Sequence, residues 1–286
     1  KTTKKVCQRL SKSEHHNGRI SDFRKERIFM STLFSLEGKN CLVTGASKGM
    51  GKAMALALAE HGANVVISSR KQDQLEETAN ELNSQIGGKK IVPIAANAGR
   101  KEDLSQLVEG TNKAIGKIDV LIGNAGVNPH YGPMSDISDE AFDKTMATNV
   151  KSNHWLCQMV APDMVARGGG SIMITSSVGA FEPSLQLGTY AISKLAVIGL
   201  IRNLAAEYGP QNIRVNAICP AIIKTDFAKA LWDDDAKAKE AIAKIPLGRL
   251  GEPEDLQGLA VFLASNASSY ITGQAMTICG GGYMWR

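Results

Sequence analysis

Tyr190 and Lys194 lie four positions apart in the run Tyr190-Ala191-Ile192-Ser193-Lys194. In a helix this spacing puts both side chains on one face. A phenol has an ordinary pKa near ~10, too high for efficient proton exchange at neutral pH. An ammonium one turn away favours the phenolate and would lower that value, which makes Tyr190 a candidate general acid and base. The pair alone is common in helices, so its neighbours have to decide. Ser176 and Ser177 follow the apolar run that ends Ile174-Thr175. A hydroxyl at the end of a strand can hold a substrate oxygen, or it can cap a turn. Asn149 falls in a helical stretch where Asn has modest propensity, and taken alone it would face solvent.

A second group of residues supplies binding chemistry. Thr44-Gly45-Ala46-Ser47-Lys48-Gly49-Met50-Gly51 follows the first strand signal and opens the first helix. Gly45 permits a tight turn, Gly49 lets backbone N–H groups approach a pyrophosphate, and Gly51 lets the helix pack closely on the sheet. The helix N-terminus adds partial positive charge. This context points to a dinucleotide cofactor. The second strand ends Ser68-Ser69-Arg70-Lys71. A carboxylate there would accept bonds from a ribose 2′-hydroxyl; Arg70 in its place, with Lys48 facing the same group, favours a 2′-phosphate and therefore NADP(H) over NAD(H). A positively charged nicotinamide would further favour the Tyr190 phenolate.

These residues need a scaffold that brings them together. From Lys39 short apolar runs alternate with amphipathic stretches. Strands are expected over 40–44, 64–68, 90–95, 118–123, 171–176, 213–218 and 275–279. Helices are expected over 51–61, with Gly62 as a stop, 72–85, 102–115, 139–166, 189–208 and 254–263. Strict alternation forces parallel pairing through right-handed crossovers. The expected fold is α/β, a single doubly wound (Rossmann) parallel sheet of about seven strands with helices on both faces. In such a sheet ligands bind at the carboxyl edge, where Ser177 and the Asn124-Ala125-Gly126 turn would lie.

Composition excludes several classes. The chain has 286 residues, 43% of them hydrophobic, with a net charge of +5. Residues 1–36 hold nine Lys and Arg against three Asp and Glu, a net +6, so the rest carries about −1. The basicity belongs to the N-terminal segment and does not describe a nucleic-acid-binding face. Residues 1–35 are expected to be a disordered basic extension, or alternatively a transit peptide, and 36–286 to form the domain. Cys7, Cys41, Cys157, Cys219 and Cys279 are scattered, without CxxC spacing, which favours a reducing compartment over disulfides or zinc. His15 and His16, adjacent in the polar segment, and the other three His show no metal spacing. No apolar run approaches the ~18–20 residues of a membrane span. A cytoplasmic location is expected, or an organelle matrix if the extension is a transit peptide.

Thr44-Gly45-x-x-x-Gly49-x-Gly51, Asn124-Ala125-Gly126, Asn149, Ser177, Tyr190-x-x-x-Lys194 and Arg214-Val215-Asn216 together resemble the short-chain dehydrogenase/reductase family over about residues 36–284. The resemblance implies a hydride-transferring oxidoreductase acting on a carbonyl or secondary alcohol. In it Tyr190 is the acid and base, Lys194 binds the nicotinamide ribose, Ser177 orients the carbonyl and Asn149 anchors a relay water. The choice of Ser177 over Ser176 follows the family's spacing to Tyr190. The cofactor would be held by Gly45, Ser47, Lys48, Gly49, Met50, Gly51, Ser69, Arg70, Asn97, Asn124, Ala125, Gly126, Tyr190, Lys194, Pro220, Ile223 and Thr225.

Further segments are similar to NADP-dependent carbonyl reductases of the retinol dehydrogenase/reductase type. They are Ser68 to Gln72, Val127-Asn128-Pro129, Ile223-Lys224-Thr225, Leu231-Trp232, Arg249 to Asp255 and Ser269 to Gly273. The chain ends Met284-Trp285-Arg286, unlike the Ser-Lys-Leu peroxisomal ending of such relatives. Two positions depart from the family: Ala221 stands where Gly is usual, beside the nicotinamide, and Asn97 where Asp is common, near the adenine. Ala tolerates positive φ poorly, so a shifted backbone is expected at Ala221.

Residues 221–249 are expected to form a lid. Phe227, Leu231 and Trp232 would be its apolar underside, unless Trp232 packs within the lid itself. Asn128, His130, Tyr131 and 181–187 would complete the walls around a hydrophobic carbonyl substrate. A 3-oxoacyl-carrier-protein reductase is the rival enzyme, and a non-catalytic NADP-binding protein is the rival of another class. The family also implies a homo-oligomer, dimer or tetramer, built through the two long central helices, with 279–284 near an interface.

Overall fold

A computed structural model describes residues 32–284. The expectations for the basic extension, the transit peptide, Cys7 and His15–His16 therefore fall wholly or mostly outside the described residues, as do Trp285 and Arg286. The strands are β1 Asn40–Thr44, β2 Asn64–Ser68, β3 Ile91–Pro93, β4 Val120–Gly123, β5 Gly170–Thr175, β6 Ile213–Pro220 and β7 Ala275–Ile278. All pair in parallel in one sheet of order β3-β2-β1-β4-β5-β6-β7. The order reverses between β1 and β4, which opens a crevice at their carboxyl ends.

The strands read as continuous apolar runs because both sheet faces are covered. Period-2 alternation sends Cys41, Val43, Val65, Ile67, Val120, Ile122, Met173 and Ile218 into one core layer. It sends Leu42, Val66, Leu121, Ile172, Ile174, Val215, Ala217 and Cys219 into the other. Helices α1 Gly49–Glu60, α2 Gln72–Ile86 and α8 Gln257–Ala264 cover the first layer, through residues such as Met54, Leu75 and Leu263. Helices α3 Lys101–Ile115, α5 Ser152–Ala166 and α6 Gly188–Tyr208 cover the second, through Leu104, Leu156 and Val197. The remaining helices are α4 Asp139–Met146 and α7 Asp235–Ala243.

Three local departures from the sequence expectations have visible causes. The expected helix 139–166 is interrupted by a π turn at Ala147–Lys151, which separates α4 from α5. No Gly or Pro marks that turn, whereas Pro162 sits inside α5 without ending it. The expected helix 254–263 begins with a 3-10 turn, Pro253–Leu256, held by a reciprocal capping box between Glu252 and Asp255. Ala221 has no positive φ, Asn212 being the non-Gly residue that does among the described residues, and the Ala221 N–H donates to Ile278 O at 3.0 Å. The Gly-to-Ala departure is therefore absorbed without backbone strain.

Candidate active site

The glycine turn is built as its residue types require. Gly45 and Gly49 have φ of 64° and 58°, in the left-handed region that Gly reaches without steric cost. A Cβ on Gly51 would strike the Gly45 carbonyl oxygen and come 2.7 Å from Asn124 Nδ2. Gly51 is thus a packing residue behind the turn. Lys48 precedes α1 with no side-chain cap, and the first turn of α1 holds no acidic residue. The free N–H groups there suit a phosphate.

Asn124 ties three strand ends together. Its Nδ2 donates to Thr44 O at 3.2 Å and Gly45 O at 3.0 Å, and its Oδ1 accepts from Thr175 Oγ1 at 3.1 Å. Thr44 Oγ1 accepts from the N–H groups of Asn124 and Ala125, both at 3.1 Å. This network shapes the floor of a cleft of about 640 Å³ at the carboxyl edge. Gly45, Ser47, Lys48, Gly49, Met50, Ser69, Arg70, Asn97, Asn124, Ala125, Gly126, Tyr190, Lys194 and Thr225 all line it. Gly51, Pro220, Asn149 and Ser177 stand outside that lining, and Ile223 lines a separate cavity of about 150 Å³ with Ala221 and Cys279. Sequence reasoning missed Ser68, Lys144, Thr148, Thr175 and Asp226, which line the cleft as well. Thr148 precedes Asn149 directly and Thr175 precedes the serine pair, so adjacency was the available signal.

Tyr190 and Lys194 share one face of α6, with the Lys194 Nζ 5.4 Å from the Tyr190 ring centroid. Lys194 is 3% exposed, and its Nζ donates to Thr175 O at 2.7 Å. Burial lowers its pKa to about 8, because charge is disfavoured away from water. Burial pushes the Tyr190 phenol up, and a hydrogen bond with the Ser177 hydroxyl pulls the other way. Among the chain's own groups burial, not Lys194, sets the direction of the Tyr190 shift, whereas the expected lowering also drew on the charge of a bound nicotinamide. Desolvation dominates, and Tyr190 is a protonated donor at neutral pH. Ser177 Oγ also accepts from Gly179 N at 3.1 Å, while Ser176 points inward and donates to Lys194 O at 2.8 Å.

Asn149 is fully buried, contrary to the solvent-facing expectation. Its Oδ1 accepts from Val127 N at 2.8 Å, and its Nδ2 donates to Val127 O and to Ser193 Oγ, both at 3.0 Å. The π turn aims this amide at the loop after β4 and at the residue beside Lys194. Within the expected lid, Lys224, Thr225, Asp226 and Phe227 line the cleft, and the Phe227 ring lies 6.1 Å from that of Tyr190. Trp232 packs within the lid, its Nε1 donating to Thr225 O at 3.2 Å. Asn128, His130, Tyr131 and 181–187 lie off the cleft, and Phe181 stacks on Tyr283 with ring centroids 5.1 Å apart. Among the described residues no three His, Cys, Asp or Glu side chains gather as metal ligands, and no helix is long and apolar enough to cross a membrane.

Two outcomes follow. Replacing Asn149 with Ala strands partly buried backbone groups of Val127. Urea denaturation should then show a loss of about 1–3 kcal/mol; unchanged stability would contradict the bonded geometry. For Lys194, the unfolded chain keeps its proton up to 10.5 while the folded chain loses it near about 8. Between these values the unfolded state binds more protons, so stability rises with pH. Relative to Lys194→Met, that rise should be on the order of 1 kcal/mol per pH unit. A flat difference across the window would mean that burial does not depress the ammonium.

Comparison with known proteins agrees with this architecture. A family model described as enoyl-(acyl carrier protein) reductase matches residues 45–283. Dehydrogenase/reductase SDR family member 4 of Oryctolagus cuniculus is 43% identical over 246 residues, 86% of this chain and 94% of that protein. Its namesake in Caenorhabditis elegans is 40% identical over 248 residues, 86% of this chain and 95% of that protein. A gluconate 5-dehydrogenase from Burkholderia cenocepacia J2315, solved with NADP and tartrate, superposes with a TM-score of 0.83 at 29% identity, covering 88% of this chain and 98% of that one. A 7α-hydroxysteroid dehydrogenase solved with NADH and 7-oxo glycochenodeoxycholic acid gives 0.84 at 35% identity, covering 88% and 97%. Sequence and fold are shared with these proteins over nearly all of the described residues, and the chain belongs to the short-chain dehydrogenase/reductase family, oxidoreductases that bind NAD(P).

Proposed function

We propose that this chain is an NADP(H)-dependent carbonyl reductase, and that the meeting of Tyr190 and Lys194 at the mouth of the cleft carries that reading. NADPH, when bound, supplies the hydride. Met50 and the glycine turn at the start of α1 hold the pyrophosphate, Ser69 and Arg70 hold the 2′-phosphate, and Lys194 holds the nicotinamide ribose. Arg70 is exposed and pairs with no carboxylate among the described residues, so it is available to a phosphate.

Ser177 and Tyr190, whose hydroxyls lie close enough for the first to affect the titration of the second, receive the substrate carbonyl oxygen. The protonated Tyr190 gives its proton to that oxygen as it gains charge. Burial keeps the phenol protonated, as a donor must be, but makes it a weaker acid, so transfer depends on the charge the substrate oxygen gains with the hydride. Lys194 stands behind it as the neighbouring ammonium, and Asn149 positions this corner through Ser193. Phe227 offers an apolar contact for the substrate body. An acyl-carrier thioester is the second reading, favoured by the description of the matching family model.

A homo-oligomer forms through α5 and α6. Ile192 and Leu195, 42% and 54% exposed, lie one turn apart on α6, and Val165 on α5 is 41% exposed. Leu195→Glu should then lower the sedimentation mass of the native protein. An unchanged mass would exclude this face.

For the reaction, loss of absorbance at the reduced nicotinamide band is followed with NADPH or NADH across ketones, aldehydes and an acyl-carrier thioester. Free carbonyls with NADPH should turn over, and Tyr190→Phe should lose at least about 1,000-fold in kcat, toward the upper end of general acid catalysis, while still binding NADPH. Retained turnover would remove Tyr190 from the chemistry. Activity confined to the acyl-carrier substrate would move the assignment to the second reading.

A further inference from the structure

The cleft is lined by Lys48, Arg70, Lys144, Lys194 and Lys224 and, among the described residues, by a single carboxylate, Asp226. That carboxylate takes the Lys48 ammonium, with Nζ 2.6 Å from Oδ2. The contact joins two distant parts of the chain, the glycine turn and the lid. It is seated by the adjacent residues: Thr225 Cγ2 lies 3.0 Å from where a Gly49 side chain would begin. Lys224, one step earlier, is taken by Glu252 at 2.7 Å.

We propose that Asp226 is a cofactor-discriminating residue, which weakens NADP(H) relative to NAD(H) by competing with a ribose 2′-phosphate for Lys48. This rests on the reading that Lys48 and Arg70 face the 2′ position. A dianionic phosphate there must share Lys48 with Asp226 or displace it, and in either case it lies near a carboxylate of the same sign. A 2′-hydroxyl carries no charge and does neither. Lys48 holds the Asp226 carboxyl below the usual range, with a smaller contribution from Lys229, so the carboxylate stays charged at neutral pH. The two side chains are 66% and 71% exposed, so water and salt keep the effect modest. Arg70 then supplies the phosphate-specific attraction, and Asp226 trims it.

The test is fluorescence titration of the full chain with NADPH and with NADH at low salt. Asp226→Asn should raise the preference for NADPH by about twofold to fivefold, the scale of an exposed ion pair. Asp226→Glu should keep the wild-type preference. The gain from Asp226→Asn should vanish in a Lys48→Ala background and shrink at high salt. Equal tightening of both cofactors would overturn the proposal in favour of simple lid release, and so would a gain that survives without Lys48. Which cofactor the wild type prefers tests the NADP reading, whereas the change in that preference tests Asp226, so either can fail alone.

Discussion

A lysine ammonium buried at the carboxyl edge of the sheet is expensive, and the site is organised around the group that makes it tolerable. Lys194 has left water and donates to the Thr175 carbonyl, the last residue of β5. That carbonyl is free to accept because the strand ends there. The bond fixes where the first turns of α6 cross the sheet edge, and so fixes Tyr190 four residues earlier. Ser176, turned inward to the Lys194 carbonyl, fastens the same helix from below and leaves Ser177 as the hydroxyl beside the phenol. Desolvation is the common price: it depresses the ammonium and raises the phenol, leaving a neutral proton donor next to a cation close to its titration point.

The floor of the cleft is held by polar groups whose partners lie in the protein. Asn124 spends its amide on Thr44, Gly45 and Thr175, and Asn149 spends its own on Val127 and Ser193. Both sit where strand ends and helix starts leave backbone groups without regular partners. Satisfying those groups rigidifies the edge. The charged side chains that face the opening are five cations and one carboxylate, a balance suited to an anionic dinucleotide. The exception is Asp226 on the lid, and its grip on Lys48 ties the lid to the glycine turn.

Much of this was legible in the residues. Alternating apolar runs with intervening helices specify a parallel sheet, because crossovers of that length leave no other pairing. Gly45, Gly49 and Gly51 announce their roles, since each stands where a Cβ would need positive φ or would strike backbone. The i, i+4 spacing of Tyr190 and Lys194 already put them on one helix face. Arg70 at the end of β2 was likewise readable from its position.

Only the fold decided the rest, because it depends on contacts between residues far apart in the chain. The π turn that buries Asn149 has no local mark; it is set by Val127 and Ser193, which are 22 and 44 positions away. The direction of the Tyr190 shift turned on how deeply the phenol lies, which spacing does not report. Lys48 looked like a free cation until the lid brought Asp226 to it from 178 positions away. Local periodicity determines the elements and the face on which each side chain stands. Burial and long-range charge pairing determine what those side chains can do, and they exist only once the sheet has gathered its edge.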